Sequence, residues 1–200
     1  MGAGASVTRI KENPRIKQFF SVHDKRLHKL AREYKMEVSD LVNQKRRIHK
    51  AVGSNYLSKK HLKMSITIDC SEEMVESLTR MLSSNGKQVS VIDYICGMTK
   101  FCYGSPQQRF DYCFKLFDYD SGGTLSHDEL ESIIDSLLKV YRGKKTTKKM
   151  RKKLARKYFK KMDVDGDGDI SLEEFKKVVI VDRSLTQAIM SLARFVKFTS

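Results

Sequence analysis

The amino-acid sequence predicts an all-α protein of four helix-loop-helix units in two lobes, followed by one C-terminal helix. Residues 118–129 and 163–174 form two acidic loops of the same length, and apolar residues recur at steps of three and four on both sides of each loop. Two further loops of similar outline start at Lys50 and Leu82. The chain therefore contains an internal repeat of one helix-loop-helix unit.

The loop at residues 163–174 spaces its oxygen-bearing residues as a calcium ion requires. Such a hard cation takes about six to eight oxygen ligands. Gly168 permits a positive-φ turn, and Ile170 is predicted to pair as a short strand with Leu125 of the other acidic loop. The predicted ligands are the side chains of Asp163, Asp165, Asp167 and Glu174, the carbonyl of Asp169, and Ser171 directly or through water.

The loop at residues 118–129 keeps this pattern but lacks one ligand. Gly122 stands at the fifth position, where a water would have to replace a side-chain oxygen. We expect this loop to bind calcium more weakly, because it offers less negative charge. The alternative, an acidic turn that only caps a helix, is disfavoured by the two tandem copies. The predicted ligands are Asp118, Asp120, the carbonyl of Thr124, Ser126 and Glu129.

The two earlier loops, residues 50–61 and 82–93, have lost their ligands. They are aligned with the acidic loops through Leu57 and Val89, each at the eighth position. The first loop contains no acidic residue, and the second keeps only Asp93. Basic and apolar side chains at ligand positions disfavour a cation, so both loops are predicted to bind none.

The remaining helices follow from apolar spacing and caps. In the N-terminal half, a helical pattern runs through Ile16 to Phe20 and then from a cap at Ser21 through Leu27 to Tyr34. Further helices are predicted from Val38 to Ile48 and from Ser71 to Leu82. Ser105 is predicted to cap the next helix, with Pro106 at its first position and Gln108 completing a capping box. The predicted divisions are an N-terminal segment 1–20, an N-terminal lobe 21–104, a C-terminal lobe 105–182 and a C-terminal helix 183–200.

Two C-terminal helices have distinct features. Residues 144–161 hold eleven basic residues with Leu154, Tyr158, Phe159 and Met162 on one stripe. The stripe is predicted to be core, and the charges to be a solvated face, a contact for lipid or an acidic partner, or a nuclear or nucleic-acid signal. The last helix places Leu185, Ile189, Leu192 and Val196 on one side. We expect it to pack within the C-terminal lobe rather than to bind a target.

The charge balance favours anionic partners. The formal net charge is +15, and ten of the 24 acidic residues lie inside the two acidic loops, so the remaining surface is more basic still. An anionic membrane, a nucleic acid or an acidic protein would complement it. No nucleic-acid-binding motif is present, and the histidines and other polar residues show no catalytic constellation, so we expect a non-enzyme that does not bind nucleic acid.

The N-terminal residues match the pattern for myristoylation at Gly2, with Ser6 at the favoured position. A single acyl chain binds membranes only marginally and needs a polybasic flank. Arg9, Lys11, Arg15 and Lys17 provide one. The alternative is a small, flexible start before a solvated basic helix. The cysteines Cys70, Cys96, Cys102 and Cys113 lack metal-type spacing and are predicted to be reduced core thiols of a cytoplasmic protein, peripheral at the cytosolic face of a membrane if acylated.

With these loops and helices, residues 105–180 resemble a tandem EF-hand pair of the calmodulin superfamily. The two degenerate hands, the N-terminal motif and the last helix are similar to the neuronal-calcium-sensor, calcineurin-B-like and calcium-and-integrin-binding group. The resemblance implies a sensor with two Ca²⁺ sites that changes shape and binds a target helix. A calcium buffer is the alternative, and a basic nucleic-acid-binding protein the third; Mg²⁺ occupancy at rest stays open.

Overall fold

The computed structural model describes residues 25–65, 71–142 and 147–192. The predictions on Gly2, Ile16 to Ser21, Cys70 and Val196 lie outside these residues. The helices are α1 (25–34), α2 (Val38–Val52), α3 (Lys59–Ser65), α4 (Glu72–Leu82), α5 (Val91–Tyr103), α6 (Pro106–Phe117), α7 (His127–Arg142), α8 (Lys148–Met162), α9 (Leu172–Val181) and α10 (Arg183–Leu192). The strands are β1 (Tyr56–Leu57), β2 (Val89–Ser90), β3 (Thr124–Leu125) and β4 (Ile170–Ser171).

The predicted all-α class and the four helix-loop-helix units are confirmed. The units are α2–α3, α4–α5, α6–α7 and α8–α9. Their loops meet in pairs as two short antiparallel ladders, with Leu57 opposite Val89 and Leu125 opposite Ile170. The predicted pairing of Leu125 with Ile170 is thus confirmed, and Leu57 and Val89, at the eighth positions of the degenerate loops, pair in the same way. None of the described helices is long and apolar enough to cross a membrane.

Hydrogen bonds at the helix ends follow the predicted caps. The Ser71 hydroxyl accepts a bond from the Met74 N–H at 3.2 Å and starts α4. At α6, the Gln108 side chain accepts from the Ser105 N–H at 2.8 Å, and the Ser105 hydroxyl accepts from the Gln108 N–H. Pro106 follows as the first helical residue, where its missing N–H costs nothing. Local sequence therefore fixes where these helices begin.

The helix α2 is longer than the sequence predicts. It runs through Val52, so Lys50 and Val52, assigned to ligand positions of a loop, are helical. In the intact units, by contrast, the helices end at Phe117 and Met162, directly before the first loop aspartate. The difference has a local cause, because Lys, Ala and Val continue a helix readily, and the first residue that can reverse the chain is Gly53 with φ of 68°.

A continuous hydrophobic core joins the two halves. Helices α4 and α5 both pack against α6, and the Ser77 hydroxyl donates a hydrogen bond to the Lys115 carbonyl at 2.9 Å. Within the C-terminal half, the rings of Phe114 and Phe175 meet edge to face at 5.7 Å, which joins α6 to α9. The division at residues 104–105 falls between α5 and α6 and stays a prediction.

The last helix packs inside the C-terminal half, as expected. Its buried side chains are Leu185, Ala188, Ile189 and Leu192, and it contacts α6, α7 and α9. A cavity of about 330 Å³ remains between α7, α8 and α10, lined mainly by Ile134, Leu137, Leu154 and Leu185. The helix therefore covers an apolar surface without filling it completely.

Candidate metal centre

The loop at residues 163–174 begins where α8 ends. The Asp163 N–H bonds to the Phe159 carbonyl at 2.9 Å and closes the helix. Gly166 and Gly168 then take positive φ values of 74° and 93°, which turn the chain back on itself. Ile170 enters the ladder, and Ser171 caps α9. These turns bring the aspartates at the start of the loop over the first turn of α9.

Three of the predicted ligands in this loop converge. One carboxylate oxygen each of Asp163, Asp165 and Glu174 lie within 4.8 Å of one another. Glu174 is held by the Val164 N–H on Oε1 at 2.9 Å, and by the N–H and hydroxyl of Ser171 on Oε2 at 2.9 and 2.8 Å. These bonds, with the Ser171 N–H first among them, lower the pKa of Glu174 to about 2. The carboxylate is therefore charged and fixed in place.

The convergence suits a divalent cation. Asp163 Oδ1 is buried and accepts no hydrogen bond from any described residue. A buried carboxylate oxygen without a donor is costly, because burial removes its hydration. A divalent cation between Asp163, Asp165 and Glu174 would satisfy this oxygen and offset two of the three negative charges. The oxygen-only donor set fits calcium or magnesium.

Asp167 is a predicted ligand that does not lie in this group. Its Oδ1 accepts a hydrogen bond from the Asp169 N–H at 2.9 Å, so the side chain shapes the loop's own backbone. The Asp167 N–H in turn donates to Asp165 Oδ1 at 3.2 Å. Asp169, whose carbonyl is the predicted ligand, follows directly before the strand β4. This bond occupies Oδ1 alone, and Asp165 accepts a similar bond while it stays in the group, so Asp167 remains a candidate ligand through Oδ2.

The loop at residues 118–129 has a similar group of three. Oxygen atoms of Asp118, Asp120 and Glu129 lie within 4.8 Å of one another. Glu129 accepts bonds from the Tyr119 N–H at 2.7 Å and from the N–H and hydroxyl of Ser126 at 2.9 and 3.0 Å. The reciprocal bonds between Ser126 and Glu129 form a capping box, as those between Ser171 and Glu174 do in the other loop.

Negative charge is concentrated around Asp118. Burial, above all, raises the pKa of this carboxyl, and Asp120 and Glu129 raise it further against hydrogen bonds from the Gly122 and Gly123 N–H groups. A bound cation would remove the electrostatic cost that these acids share. The predicted ligand Thr124 lies in β3, directly after the turn at Gly123, which has φ of 82°.

Gly122 contributes only its backbone to this loop. Its N–H lies 2.9 Å from Asp118 Oδ1 and 2.8 Å from Asp120 Oδ1, and it has no side chain to offer as a ligand. Ser121 before it has a positive φ of 61°, where the other loop has Gly166. The loop therefore contains one acidic residue fewer at the ligand positions and some backbone strain.

A feature of the second degenerate loop was missed from the sequence. Asp93, the one acid left there, is buried and pairs with Arg26 of α1, at 2.7 Å between Nη2 and Oδ1. Its other oxygen accepts bonds from Ser84 at 3.2 Å and Ser90 at 2.7 Å. Burial opposes the charge, but these bonds and the guanidinium lower the pKa of Asp93. The Arg26 guanidinium thus pairs with Asp93, the carboxylate at the position that Glu129 and Glu174 occupy in the two acidic loops.

The degenerate loops show no alternative metal site. Within the described residues, no group of three acidic, histidine or cysteine ligands lies in residues 50–61 or 82–93. The single retained acid was the only sequence signal for the ion pair, because a buried carboxylate requires a cationic or hydrogen-bonding partner. That this partner is Arg26 depends on how α1 packs against the rest of the N-terminal half.

Comparison with known proteins supports this description of the C-terminal half. Residues 107–180 match the family described as the EF-hand domain pair. The chain is 29% identical to calaxin of Homo sapiens over 50% of its length and 47% of calaxin. It is 29% identical to guanylyl cyclase-activating protein 1 of Gallus gallus, over 48% of this chain and 48% of that protein. Calcium and integrin-binding family member 2 of Drosophila melanogaster is 26% identical, over 58% and 65%. The chain spans about half the length of most of these curated relatives.

Proposed function

We propose that this chain is a calcium sensor that binds one ion in each C-terminal loop, since residues 107–180 match the EF-hand domain pair. The observation that carries the proposal is the convergence of Asp163, Asp165 and Glu174. One of the oxygens in this group of residues, Asp163 Oδ1, is buried and accepts no hydrogen bond from any described residue. Asp118, Asp120 and Glu129 would hold the second ion. The two degenerate loops would hold none.

The placement of the ligands supports a sensor. Asp163 terminates α8, whereas Glu174 lies in the first turn of α9, so drawing both onto one centre changes the angle between these helices. When bound, calcium supplies the positive charge that holds the carboxylates together. The ladder between Leu125 and Ile170 links the two loops mechanically.

The apolar surface beneath α10 supports binding of a target helix. This helix covers α6, α7 and α9 through its apolar face and leaves a cavity beside α8. We propose that an amphipathic helix of a partner enters there when α8 and α9 move. The alternative function is a calcium buffer, which binds ions without exposing this surface. A dye that fluoresces on apolar surfaces would brighten on calcium addition only for the sensor.

Calorimetry with matched variants tests the metal sites. Wild type is expected to bind two calcium ions, and Glu174→Gln to lose the site in residues 163–174. Glu173→Gln is the control, because Glu173 is the exposed neighbour of buried Glu174. This substitution removes the same charge as Glu174→Gln. A stoichiometry of three or four, or equal losses in both variants, would contradict the assignment. Competition with Mg²⁺ in the same titration shows which ion occupies the sites at rest.

We also propose that Gly2 is myristoylated and that the protein is cytoplasmic and peripheral to a membrane. The motif and its basic flank support this proposal. Gly2→Ala should then release the protein from membranes in fractionated cells. A pull-down in calcium and in chelator, with each protein form, would identify partners that depend on calcium.

A further inference from the structure

The outer face of α8 is densely basic. The helix contains no acidic residue between Lys148 and Met162, and its inner stripe of Ala155, Tyr158 and Met162 is buried against neighbouring helices. Eight basic side chains are exposed on the other side, and four of them form a straight stripe at steps of three and four along the helix axis. The stripe consists of Lys149, Lys153, Arg156 and Lys160.

The described part of the chain offers this stripe no acidic partner. Among the described residues, α8 makes two ion pairs, both at its edges: Arg151 with Asp135 of α7 at 2.5 Å, and Lys161 with Asp182 at 3.3 Å. None of the four stripe residues pairs with a described acid within 4 Å. Like charges so close together repel one another, and an external anionic surface would relieve that repulsion.

Exposed aliphatic side chains lie at the margin of the basic face. The Lys161–Asp182 pair joins α8 to the end of α9, where Val181 is 74% exposed and Ile180 55%. Met150, within α8, is 48% exposed. Cations beside exposed aliphatic groups are typical of helices that lie in the interface of an anionic bilayer, where both kinds of group find a partner.

The chemistry of the face favours lipid over nucleic acid. Seven of the eight exposed cations are lysines, which act as hydrated point charges, whereas recognition of nucleic-acid phosphates and bases favours the planar fork of arginine. No exposed aromatic side chain stands among them on which a base could stack. The exposed aliphatic groups beside the cations favour a lipid headgroup layer over a wholly acidic protein surface.

We propose that the outer face of α8 docks on anionic lipid headgroups, and that calcium strengthens the contact. The second part rests on the proposed calcium site, because six acidic residues in 163–174 follow α8 directly. Their negative field opposes an approach to an anionic surface. A bound calcium ion would neutralise part of this negative charge, and the cations of α8 would then dominate the local electrostatic field. Charges act on one another over a screening length of about 8 Å at physiological salt, so the loop affects the contact only because it is adjacent to α8.

Sedimentation with lipid vesicles tests the proposal on the unacylated chain of 200 residues. Vesicles of phosphatidylcholine with phosphatidylserine should bind the protein, and phosphatidylcholine alone should not. Each cation at an anionic leaflet contributes about fivefold, so replacing all four stripe residues by glutamine should weaken binding by about several hundredfold. Glutamine keeps helix propensity near that of lysine. The control replaces Lys50, Lys60, Lys87 and Lys115, which are exposed and scattered, and should retain most of the binding.

The outcomes separate this inference from the proposed function. Equal vesicle binding by the stripe variant and the scattered variant would overturn the docking face, even if calorimetry still shows two calcium sites. If the protein binds calcium but its affinity for vesicles is the same with and without calcium, the proposed coupling between calcium and lipid binding is wrong. If the stripe is needed for duplex DNA but vesicles are not bound at the same salt, the surface is a nucleic-acid site instead. A protein that binds vesicles through the stripe but takes up no calcium would refute the proposed function and leave the docking face.

Discussion

Adding the missing acid to the weaker loop should raise its calcium affinity. In Gly122→Asp, a carboxylate would stand at the fifth position, as Asp167 does in the other loop. The new β-carbon would lie 2.9 Å from Asp120 Oδ1, which is the flexible end of a side chain. Asp120 must therefore move slightly and give up its bond from the residue-122 N–H, which is 2.8 Å long here.

The size of the effect follows from charge and hydrogen bonding. A negative charge about 3 Å from a divalent cation gains about 3 kcal/mol even at the dielectric constant of water. Losing the Asp120 hydrogen bond costs about 1 kcal/mol, but the new β-carbon displaces Asp120 with and without the ion, so this cost lowers the stability of the protein. The gain of about 3 kcal/mol corresponds to a dissociation constant about 150-fold lower. Repulsion from Asp118 and Glu129 is present with and without the ion, so it lowers the stability of the calcium-free protein rather than the affinity.

Calorimetry in a Glu174→Gln background isolates this loop, since the stronger site is then lost. Gly122→Asn is the matched control, because asparagine has nearly the same shape and supplies an oxygen without the charge. We expect a large gain for Asp and a small one for Asn. A dissociation constant that changes by less than about twofold in Gly122→Asp would refute the ligand count for this loop, as would equal gains in the two variants.

Three further changes test the structure elsewhere. Arg26→Ala should lower the free energy of unfolding by about 1–2 kcal/mol in urea titrations, because it strands a buried carboxylate, although Arg26 itself is 45% exposed and partly screened. In an Asp93→Asn background the same change should cost almost nothing. The pKa of Asp93 is lowered in the folded protein, so its contribution to stability is present above the unfolded pKa of about 4 and is lost as pH falls through the folded pKa. The melting temperatures of wild type and Asp93→Asn should therefore converge as the pH is lowered. Gly97→Ala should destabilise by about 1–3 kcal/mol despite alanine's higher helix propensity, because the methyl group would overlap Leu82 Cδ2 in a buried contact; a more stable variant would show that α4 and α5 are not packed this closely.

The sequence determined the features that depend on neighbours along the chain. A helix cap involves residues three apart, so Ser105 and Gln108 predicted the start of α6 correctly. A fixed loop length sets which residues face each other, so Leu125 and Ile170 were paired without knowledge of the fold. The groups of three carboxylates follow for the same reason, because each lies within one short loop.

Tertiary structure decided the contacts between distant segments. Arg26 and Asp93 are 67 residues apart, and nothing in the local pattern of either chooses the other. Asp167 lies outside the group of three carboxylates, and its Oδ1 accepts a hydrogen bond from the Asp169 N–H, a contact that ligand spacing alone does not predict. For the charges of the basic run at 144–161, the sequence left three alternatives: a solvated face, a contact for lipid or an acidic partner, and a nuclear or nucleic-acid signal. Packing against α7 and α9 buried Ala155, Tyr158 and Met162 and left the lysines outside, because burying charge without a partner costs far more than exposing it.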